Sequence, residues 1–335
     1  MRIIKILTIL SLLLLISCKR DTSQLPEKFT VYDQPVKYEN ISEPGLAYVC
    51  HITNYFVSVI DTKNNELIGK INCSNGSIFI CFSPDRKTGY ISNFNSINLT
   101  VFDRKTNDII ATVEAGQHPG FMLAVPGNKN VLISHQSEDG IWVLDASSNS
   151  ITKKLKEGTG PLYMIDRENK IYQPQIFTPY LFIIDPNTSE IVKRIETGGR
   201  PMEMAFTQNR RFAYMSNLDF NEVTKFETKT DSVVKRIKNV NYPRGIAATS
   251  DGKYIYVTDV VENKVNVIET DKDSVVKVIE GFDMPVSAGV SPDNKYVYVV
   301  NQRASTVSII ETCTNKIIGT IQVAANPIWI LIDNG

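Results

Sequence analysis

Short stretches of alternating apolar and polar residues, separated by polar turns, recur along nearly the whole chain. The pattern is clearest near the C-terminus, where the Ser-Pro-Asp-Asn sequence at 291–294 is typical of a turn and residues 295–301 are rich in aromatic and β-branched side chains. A loop at 302–305 and a polar turn at 312–316 separate further apolar segments at 306–311 and 317–323. Together with the segment at 286–290, they predict a unit of four short strands.

The same unit repeats, and a hydrophobic residue followed by an acidic residue marks its position. The acidic residue returns at intervals of 40 to 42 residues, at Asp61, Asp103, Asp145, Asp185, Glu227, Glu269 and Glu311. Each unit is too small to fold alone, so the repeats must stack on one another to bury a core. The four aspartates stand where a strand meets a turn, which favours a structural role because Asp can hydrogen-bond the backbone of a turn.

A tetrapeptide ends the second strand of most units. It reads Tyr-Val-Val-Asn at 298–301, Tyr-Val-Thr-Asp at 256–259, Tyr-Met-Ser-Asn at 214–217 and Tyr-Ile-Ser-Asn at 90–93, and it is looser at 48–51, 132–135 and 172–175. Loop prolines keep step with it at Pro119, Pro161, Pro201, Pro243, Pro285 and Pro327. In these features the chain resembles the YVTN family of β-propeller repeats over about residues 47–335. The resemblance implies an all-β fold, a seven-bladed β-propeller with four-stranded blades.

Both ends of the repeat region are incomplete. The first unit starts at Ala47, inside its second strand, and residues 327–335 match only a first strand and its turn. We therefore expect the C-terminal strand to complete blade 1 and close the ring. Closure of this kind protects strand edges and joins the termini.

The N-terminus has the features of a targeting segment. Arg2 and Lys5 precede an apolar run at 6–16 that is short for a membrane span, and the run leads to Leu-Ile-Ser-Cys at 15–18. This order resembles a bacterial lipobox, which implies removal of residues 1–17, lipidation of Cys18 and a tether over residues 18–46. By the same resemblance, Lys19 favours the outer membrane, with exposure at the cell surface as one option. The alternative is an ordinary secretory signal in which Cys18 stands by chance.

The charge balance of the chain bears on whether it binds nucleic acid. Lys plus Arg and Asp plus Glu number 36 each, so the formal net charge is zero and no basic excess indicates nucleic-acid binding.

Export permits disulfides, and one pair could form among Cys50, Cys73 and Cys81, whereas Cys313 lies at the other end of its blade. The alternative is that these side chains are unpaired and act as small apolar residues.

Alignment of the units on the loop proline reveals a second pattern. The residue two positions further on, at the start of the innermost strand, is in ring order Trp329, Phe79 (counted from Ser77), Phe121, Tyr163, Glu203, Gly245 and Ser287. We expect the four aromatic residues to form an arc at one mouth of the central channel, opposite Glu203 and Ser287 and with Arg200 and Arg244 nearby. An apolar wall facing a few polar groups is typical of a ligand site. The alternative is that the rings pack between blades.

All three histidines, His51, His118 and His135, fall in loops on the same face of the predicted ring. Imidazoles close to carboxylates such as Glu138 and Asp139 suit Zn, Cu or Fe. The alternative is structural, because His51 and His135 take the Asn position of the tetrapeptide, where a polar side chain can hydrogen-bond a loop backbone. We assign no cofactor and keep a metal or haem at these histidines as an alternative.

The sequence contains no G-x-S-x-G elbow, H-E-x-x-H helix, P-loop or dinucleotide-binding glycine pattern, which favours a non-catalytic binding protein over an enzyme. Bacteroidetes propeller lipoproteins that capture cobalamin for a TonB-dependent transporter are similar in their lipobox and YVTN-type blades. This resemblance implies a corrinoid or similar nutrient as the ligand and an outer-membrane transporter as the partner; a glycan or a protein would fit the same surface. The alternatives are a lactonase-like or a quinoprotein- or haem-associated redox accessory in the periplasm, and an adhesive or structural surface protein.

Overall fold

The computed structural model describes residues 45–127, 129–135, 140–156, 158, 160–167, 169–207 and 211–333. Strands and turns make up these residues, and none of the described segments is a helix long and apolar enough to cross a membrane. The strands form seven antiparallel sheets of four strands each. The predicted seven-bladed propeller is therefore confirmed.

The blades follow one another along the chain, and each runs from an innermost to an outermost strand. Blade 1 consists of β28 (Pro327–Ile332), β1 (Leu46–His51), β2 (Phe56–Asp61) and β3 (Glu66–Asn72). Blade 2 consists of β4 (Ser77–Phe82), β5 (Thr88–Asn93), β6 (Asn98–Asp103) and β7 (Ile109–Glu114). Blade 3 consists of β8 (Pro119–Ala124), β9 (Asn130–His135), β10 (Gly140–Asp145) and β11 (Ser150–Leu155). Blade 4 consists of β12 (Ile165–Arg167), β13 (Lys170–Pro174), β14 (Tyr180–Ile184) and β15 (Ile191–Glu196).

The remaining three blades repeat this arrangement. Blade 5 consists of β16 (Pro201–Phe206), β17 (Phe212–Asn217), β18 (Glu222–Glu227) and β19 (Ser232–Lys238). Blade 6 consists of β20 (Pro243–Ala248), β21 (Tyr254–Asp259), β22 (Lys264–Glu269) and β23 (Ser274–Glu280). Blade 7 consists of β24 (Pro285–Val290), β25 (Tyr296–Asn301), β26 (Thr306–Glu311) and β27 (Lys316–Gln322).

Burial explains the hydrophobic pattern of each blade. The two middle strands, such as β25 and β26, are buried on both sides because neighbouring blades stack face to face, and their sequences are nearly continuous apolar runs. The outermost strands alternate between exposed and partly buried positions, as in β11 and β27. The core is therefore a set of apolar layers between blades.

The ring closes where the C-terminal strand joins the first. Strand β28 pairs antiparallel with β1, so that Tyr48 lies opposite Leu331 and Val49 opposite Ile330. The carboxylate of Asp333, directly after β28, forms ion pairs with the guanidinium groups of Arg86 and Arg104 from blade 2. Arg104 also lies over the ring of Phe82, 4.5 Å from its centroid. The predicted closure by the C-terminal strand is confirmed.

A tyrosine hydroxyl connects neighbouring blades. It belongs to the second strand of one blade and donates a hydrogen bond to the turn before the outermost strand of the next blade. The bonds join Tyr90 to Asn149 (3.0 Å), Tyr172 to Asp231 (3.2 Å), Tyr214 to Asp273 (2.6 Å), Tyr256 to Asn315 (2.8 Å) and, across the closure, Tyr298 to Asn65 (2.5 Å). The acceptor residues adopt positive φ, a conformation that Asn and Asp tolerate, so one residue both forms the turn and anchors the next blade.

The repeated aspartates at the ends of the third strands act on turns, as the sequence predicted. Asp61 accepts a hydrogen bond from the backbone N–H of Lys63, Asp103 from that of Lys105 and Asp185 from that of Asn187. These carboxylates are therefore committed to structure.

Deletion of residues 327–335 should destabilise the whole ring, because blade 1 loses its inner strand and β1 becomes an unpaired edge. We expect the urea midpoint of unfolding to fall for the entire tryptophan and circular dichroism signal. A chain that ends at Asp333 is the matched control and should unfold like the intact chain. Equal midpoints for both truncations would contradict closure by β28.

Replacement of Tyr256 by Phe should lower the free energy of unfolding by about 1 kcal/mol, because it leaves the partly buried turn acceptor Asn315 without its donor. Tyr254→Phe is the matched control, since the Tyr254 hydroxyl forms no hydrogen bond within the described ranges. Chemical unfolding of both variants tests the difference. An equal loss in the two variants would show that the bond between blades contributes nothing.

Candidate functional site

The ring has two unlike faces. The loop face carries the loops after the second strands, including 52–55, 94–97, 218–221 and 260–263, and the links that lead into each inner strand. The turn face carries the turns before the outermost strands, such as 62–65. The chain enters the ring at the turn face, because Gly45 accepts a hydrogen bond from the Thr62 N–H and donates one to the Asp333 carbonyl.

Four aromatic side chains meet at the loop-face mouth of the central channel. This aromatic cluster consists of Phe79, Phe121, Tyr163 and Trp329, and every ring lies 5.1 to 6.3 Å, centroid to centroid, from each of the other three. Trp329 of blade 1 contacts Tyr163 of blade 4, so the cluster spans the channel and does not line one wall as an open arc. Phe79 and Trp329 are buried, whereas Phe121 and Tyr163 are partly exposed. The structure thus brings the four predicted aromatic residues together and packs them on one another.

The start of each inner strand positions these side chains. The pairing with the second strand is irregular directly after the loop proline or its replacement, for example between Pro119 and Met122. Hydroxyl groups of the second strand bond the displaced backbone: Ser134 accepts from the Phe121 N–H (2.9 Å), Ser216 from the Glu203 N–H (3.2 Å) and Thr258 from the Gly245 N–H (2.8 Å). Sequence reasoning missed these hydroxyls, although the Ser or Thr at the third tetrapeptide position was the available signal.

Small residues bring two inner strands close together on the far side of the channel. A Cβ placed on Gly245 would lie 2.6 Å from the Cα of Ser287, a separation that real side chains do not reach. The backbone of blade 6 can therefore approach blade 7 only with glycine at this position. The aromatic side chains of blades 1 to 4 and the small residues of blades 6 and 7 together make the mouth asymmetric.

The polar residues of the mouth bridge to the next blade. The Glu203 carboxyl accepts a hydrogen bond from the Ile246 N–H (3.3 Å), and the Ser287 hydroxyl accepts one from the Ile330 N–H (3.4 Å). Burial raises the pKa of Glu203 to about 8, and the positive charge of Arg244 and the hydrogen bond from Ile246 offset this only in part. The Glu203 side chain is therefore mostly neutral at pH 7.

The two predicted arginines have different surroundings. Arg200 forms an ion pair with Asp219 of the adjacent loop, with 2.6 Å between Nε and Oδ1. Arg244 lies beside Glu203, and burial lowers the pKa of Arg244. Its guanidinium makes no ion pair or hydrogen bond with the residues that the structure describes. The structure thus groups Arg244 with Glu203 and ties Arg200 to the rim.

Trp329 adds an unused donor to the mouth. Its indole Nε1–H is buried and has no hydrogen-bond partner among the described residues. An unsatisfied buried donor is unfavourable, typically by about 1–3 kcal/mol. The mouth therefore combines aromatic surface with two groups, the Trp329 N–H and the Arg244 guanidinium, that can still donate hydrogen bonds.

The three histidines bond to protein groups on the loop face. His51 Nε2 lies 2.8 Å from Ser58 Oγ, just as Asn301 bonds Ser308 at the same place in blade 7. His118 Nδ1 lies 2.7 Å from the Phe94 carbonyl, and His135 bonds the Ala115 carbonyl. Burial lowers the pKa of His51 to about 4. These contacts support the structural interpretation, and no group of three His, Cys, Asp or Glu side chains in the described segments could hold a metal.

Two sequence predictions remain, the possible disulfide and the roles of Cys18, Glu138 and Asp139. Cys50, Cys73, Cys81 and Cys313 are free thiols, and burial raises the pKa of Cys73 to about 12. Cys18, Glu138 and Asp139 lie outside the described residues.

The stability of the protein should depend on pH through Glu203. Because its folded pKa of about 8 exceeds the ordinary value of 4.5, folding takes up a proton between these values. The free energy of unfolding should therefore fall as pH rises from 4.5 to 8, by at most about 1.4 kcal/mol per pH unit, and this contribution should stay constant above pH 8.

Urea unfolding at several pH values tests this dependence. Glu203→Gln should remove this part of the slope, whereas Glu280→Gln, at an exposed position, should keep it. An unchanged slope in Glu203→Gln would show that Glu203 is ionised in the folded chain at neutral pH.

Comparison with known proteins identifies the family to which the sequence belongs. The model of the YNCE-like β-propeller family matches residues 34–334, while no curated protein matches the chain. Among solved structures, a functionally unknown protein from Desulfotomaculum acetoxidans is 14% identical, with a TM-score of 0.75 over 86% of this chain and 99% of that one. Hydrazine synthase from Kuenenia stuttgartiensis is 17% identical, with a TM-score of 0.70 over 84% and 99%.

A third similar structure is dihydro-haem d1 dehydrogenase NirN in complex with DHE, at 15% identity and a TM-score of 0.66 over 91% of this chain and 67% of that one. At these identities the likeness concerns the fold alone. The family model, in contrast, spans nearly the whole chain. This chain belongs to the YNCE-like β-propeller family.

Proposed function

We propose that the chain is a non-catalytic binding protein that takes a small ligand at the loop-face mouth of its channel. The observation that carries this proposal is the aromatic cluster at the channel mouth, in which the buried Trp329 Nε1–H has no partner. Arg244, on the inner strand of blade 6, adds a guanidinium without an ion pair in the described residues. Apolar and aromatic surface with a few oriented polar groups is the usual composition of a ligand site. The closed ring holds these groups on rigid strands, which limits the entropy lost on binding.

We further propose that a lipid on Cys18 holds the protein at the outer membrane and that the loop face meets a transporter. Entry of the chain at the turn face supports this arrangement, since the mouth opens on the opposite side of the ring. Exposed apolar side chains on the loop face, namely Tyr55 (63% exposed), Ile97 (48%), Phe220 (54%) and Val261 (62%), are suited to a protein partner.

A corrinoid is the most concrete candidate ligand, and it rests on the resemblance to cobalamin-capturing lipoproteins. The partly exposed rings of Phe121 and Tyr163 would contact a corrin, because Phe79 and Trp329 are covered by the other rings. A glycan or a protein segment could use the same rings. For the lactonase-like, haem-associated and adhesive alternatives, the similar structures supply likeness of fold alone.

Isothermal titration of the purified chain with cyanocobalamin tests the corrinoid. We expect one-to-one binding that weakens at least about tenfold in Phe121→Leu and in Tyr163→Leu, because each change removes aromatic contact area. Tyr180→Leu is the matched control, since Tyr180 is 38% exposed at the start of β14 and outside the mouth.

The results test the identity of the ligand and the location of its site separately. Absence of binding by the intact chain would remove the corrinoid. Binding that all three variants retain would place the corrinoid elsewhere on the surface and contradict the mouth as its site.

A further inference from the structure

The mouth contains one cationic side chain, Arg244, whose charge no carboxylate pairs with in the described residues. Arg244 keeps its positive charge in practice, because a guanidinium does not lose its proton in proteins. Glu203 is the carboxyl group beside it, but burial keeps that carboxyl mostly neutral at pH 7, and its oxygen already accepts the Ile246 N–H. The Arg244 guanidinium therefore has no ion-pair partner within the described part of the chain, and the acid beside it is held toward its neutral form.

The hydrogen-bonding balance is uneven in the same direction. The Trp329 indole N–H is a buried donor without a partner, and the Arg244 guanidinium makes no hydrogen bond within the described part of the chain. Glu203 and Ser287, in contrast, each already accept a backbone N–H of the next blade. The groups left without a partner are donors, so a ligand that pairs with them brings acceptor oxygens.

We propose that the mouth binds a flat apolar molecule that carries a carboxylate. The carboxylate pairs with Arg244, and the flat body packs against the partly exposed rings of Phe121 and Tyr163. Because the Trp329 N–H is buried, a ligand oxygen accepts it only when these two rings turn aside on binding. This inference rests on the proposed function and adds the chemical class of the ligand. It also separates two candidates, because the polar side chains of a corrin ring are neutral amides and offer Arg244 no carboxylate.

Three probes of equal size test the charge requirement: 1-naphthoate, 1-naphthalenemethanol and 1-naphthylmethylammonium. Titration calorimetry at pH 7 should show that the carboxylate binds at least about tenfold more tightly than the neutral alcohol, since a hydrogen bond between two charged groups is stronger than one to a neutral group. The ammonium probe should bind most weakly, because it meets a positive charge.

The indole N–H resonances report the donor directly. The chain has two tryptophans, Trp142 and Trp329, and a Trp142→Phe variant assigns the two peaks. Addition of 1-naphthoate should move the Trp329 N–H peak downfield, as expected when this proton enters a hydrogen bond. The Trp142 peak is the internal control and should stay in place, because Trp142 stacks on His135 in blade 3, away from the mouth.

Two substitutions test the charge itself. Arg244→Met should reduce the preference for carboxylate over alcohol to less than about twofold, whereas Arg244→Lys should keep most of it. Arg303→Met is the matched control and should change nothing, since Arg303 lies at the rim of the same face and pairs with Asp283. Circular dichroism confirms that each variant is folded, and the Lys variant keeps the test valid if the Met variant is not.

The outcomes distinguish the inference from the function on which it rests. Equal binding of the three probes, with a shifted Trp329 peak, would overturn the carboxylate requirement and leave the mouth as a ligand site. Carboxylate binding that Arg244→Met does not weaken would overturn the role of Arg244. No heat and no shift of the Trp329 peak with any probe at millimolar concentration would overturn both the ligand class and the mouth as a small-molecule site.

Discussion

The backbone pairing of β28 with β1 closes the ring, and the geometry at its axis depends on that pairing. A blade of about 42 residues cannot bury both of its faces, so each blade needs a neighbour on either side. Without β28, blade 1 would lose its inner strand together with Trp329, and the inner strands of blades 2 and 7 would lose the strand between them. The aromatic cluster joins side chains of blades 1 to 4. It can form only when the last strand of the chain has returned to the first, and the geometry of the mouth is therefore a product of closure.

The tyrosine bonds between blades show how the repeat adapts to single substitutions. Each bond needs a hydroxyl on a second strand and an acceptor on a turn with positive φ. Where Asp is the acceptor, a lysine comes with it: Lys170 pairs with Asp231 and Lys225 with Asp273. In blade 3 the tyrosine position holds Leu132, and the matching turn of blade 4 holds Ser189, also at positive φ. The turn conformation is kept there while the Asn or Asp side chain is lost, which indicates that the chain conformation is the stricter requirement.

Much of this fold could be predicted from the sequence, because strand spacing and turn composition repeat seven times. The predicted segment at 295–301 differs by one residue from Tyr296–Asn301, and the C-terminal segment is the inner strand of blade 1 as expected. Less of the candidate site could be predicted from the sequence. The alignment on the loop proline identified Trp329 and its three aromatic counterparts, but not that their rings would touch across the channel. Nor could it separate Arg200 from Arg244, since both lie next to a loop proline and only the neighbouring loop of blade 5 supplies Asp219 to one of them.

The sevenfold pattern is broken most clearly at the position two residues after the loop proline. The position just before the loop proline, or before Ser77, is more regular, because its residue adopts positive φ in every blade except blade 5, where it is Arg200. At this one position, four large rings, one buried acid, one glycine and one serine share the axis, and a donor is left unpaired at Trp329. Local departures from symmetry and from full hydrogen bonding are expected where function, and not stability, selects the residue. If the mouth binds the proposed carboxylate, the unpaired indole N–H and the unpaired Arg244 guanidinium have a common explanation in a ligand that supplies the missing acceptor and the missing negative charge.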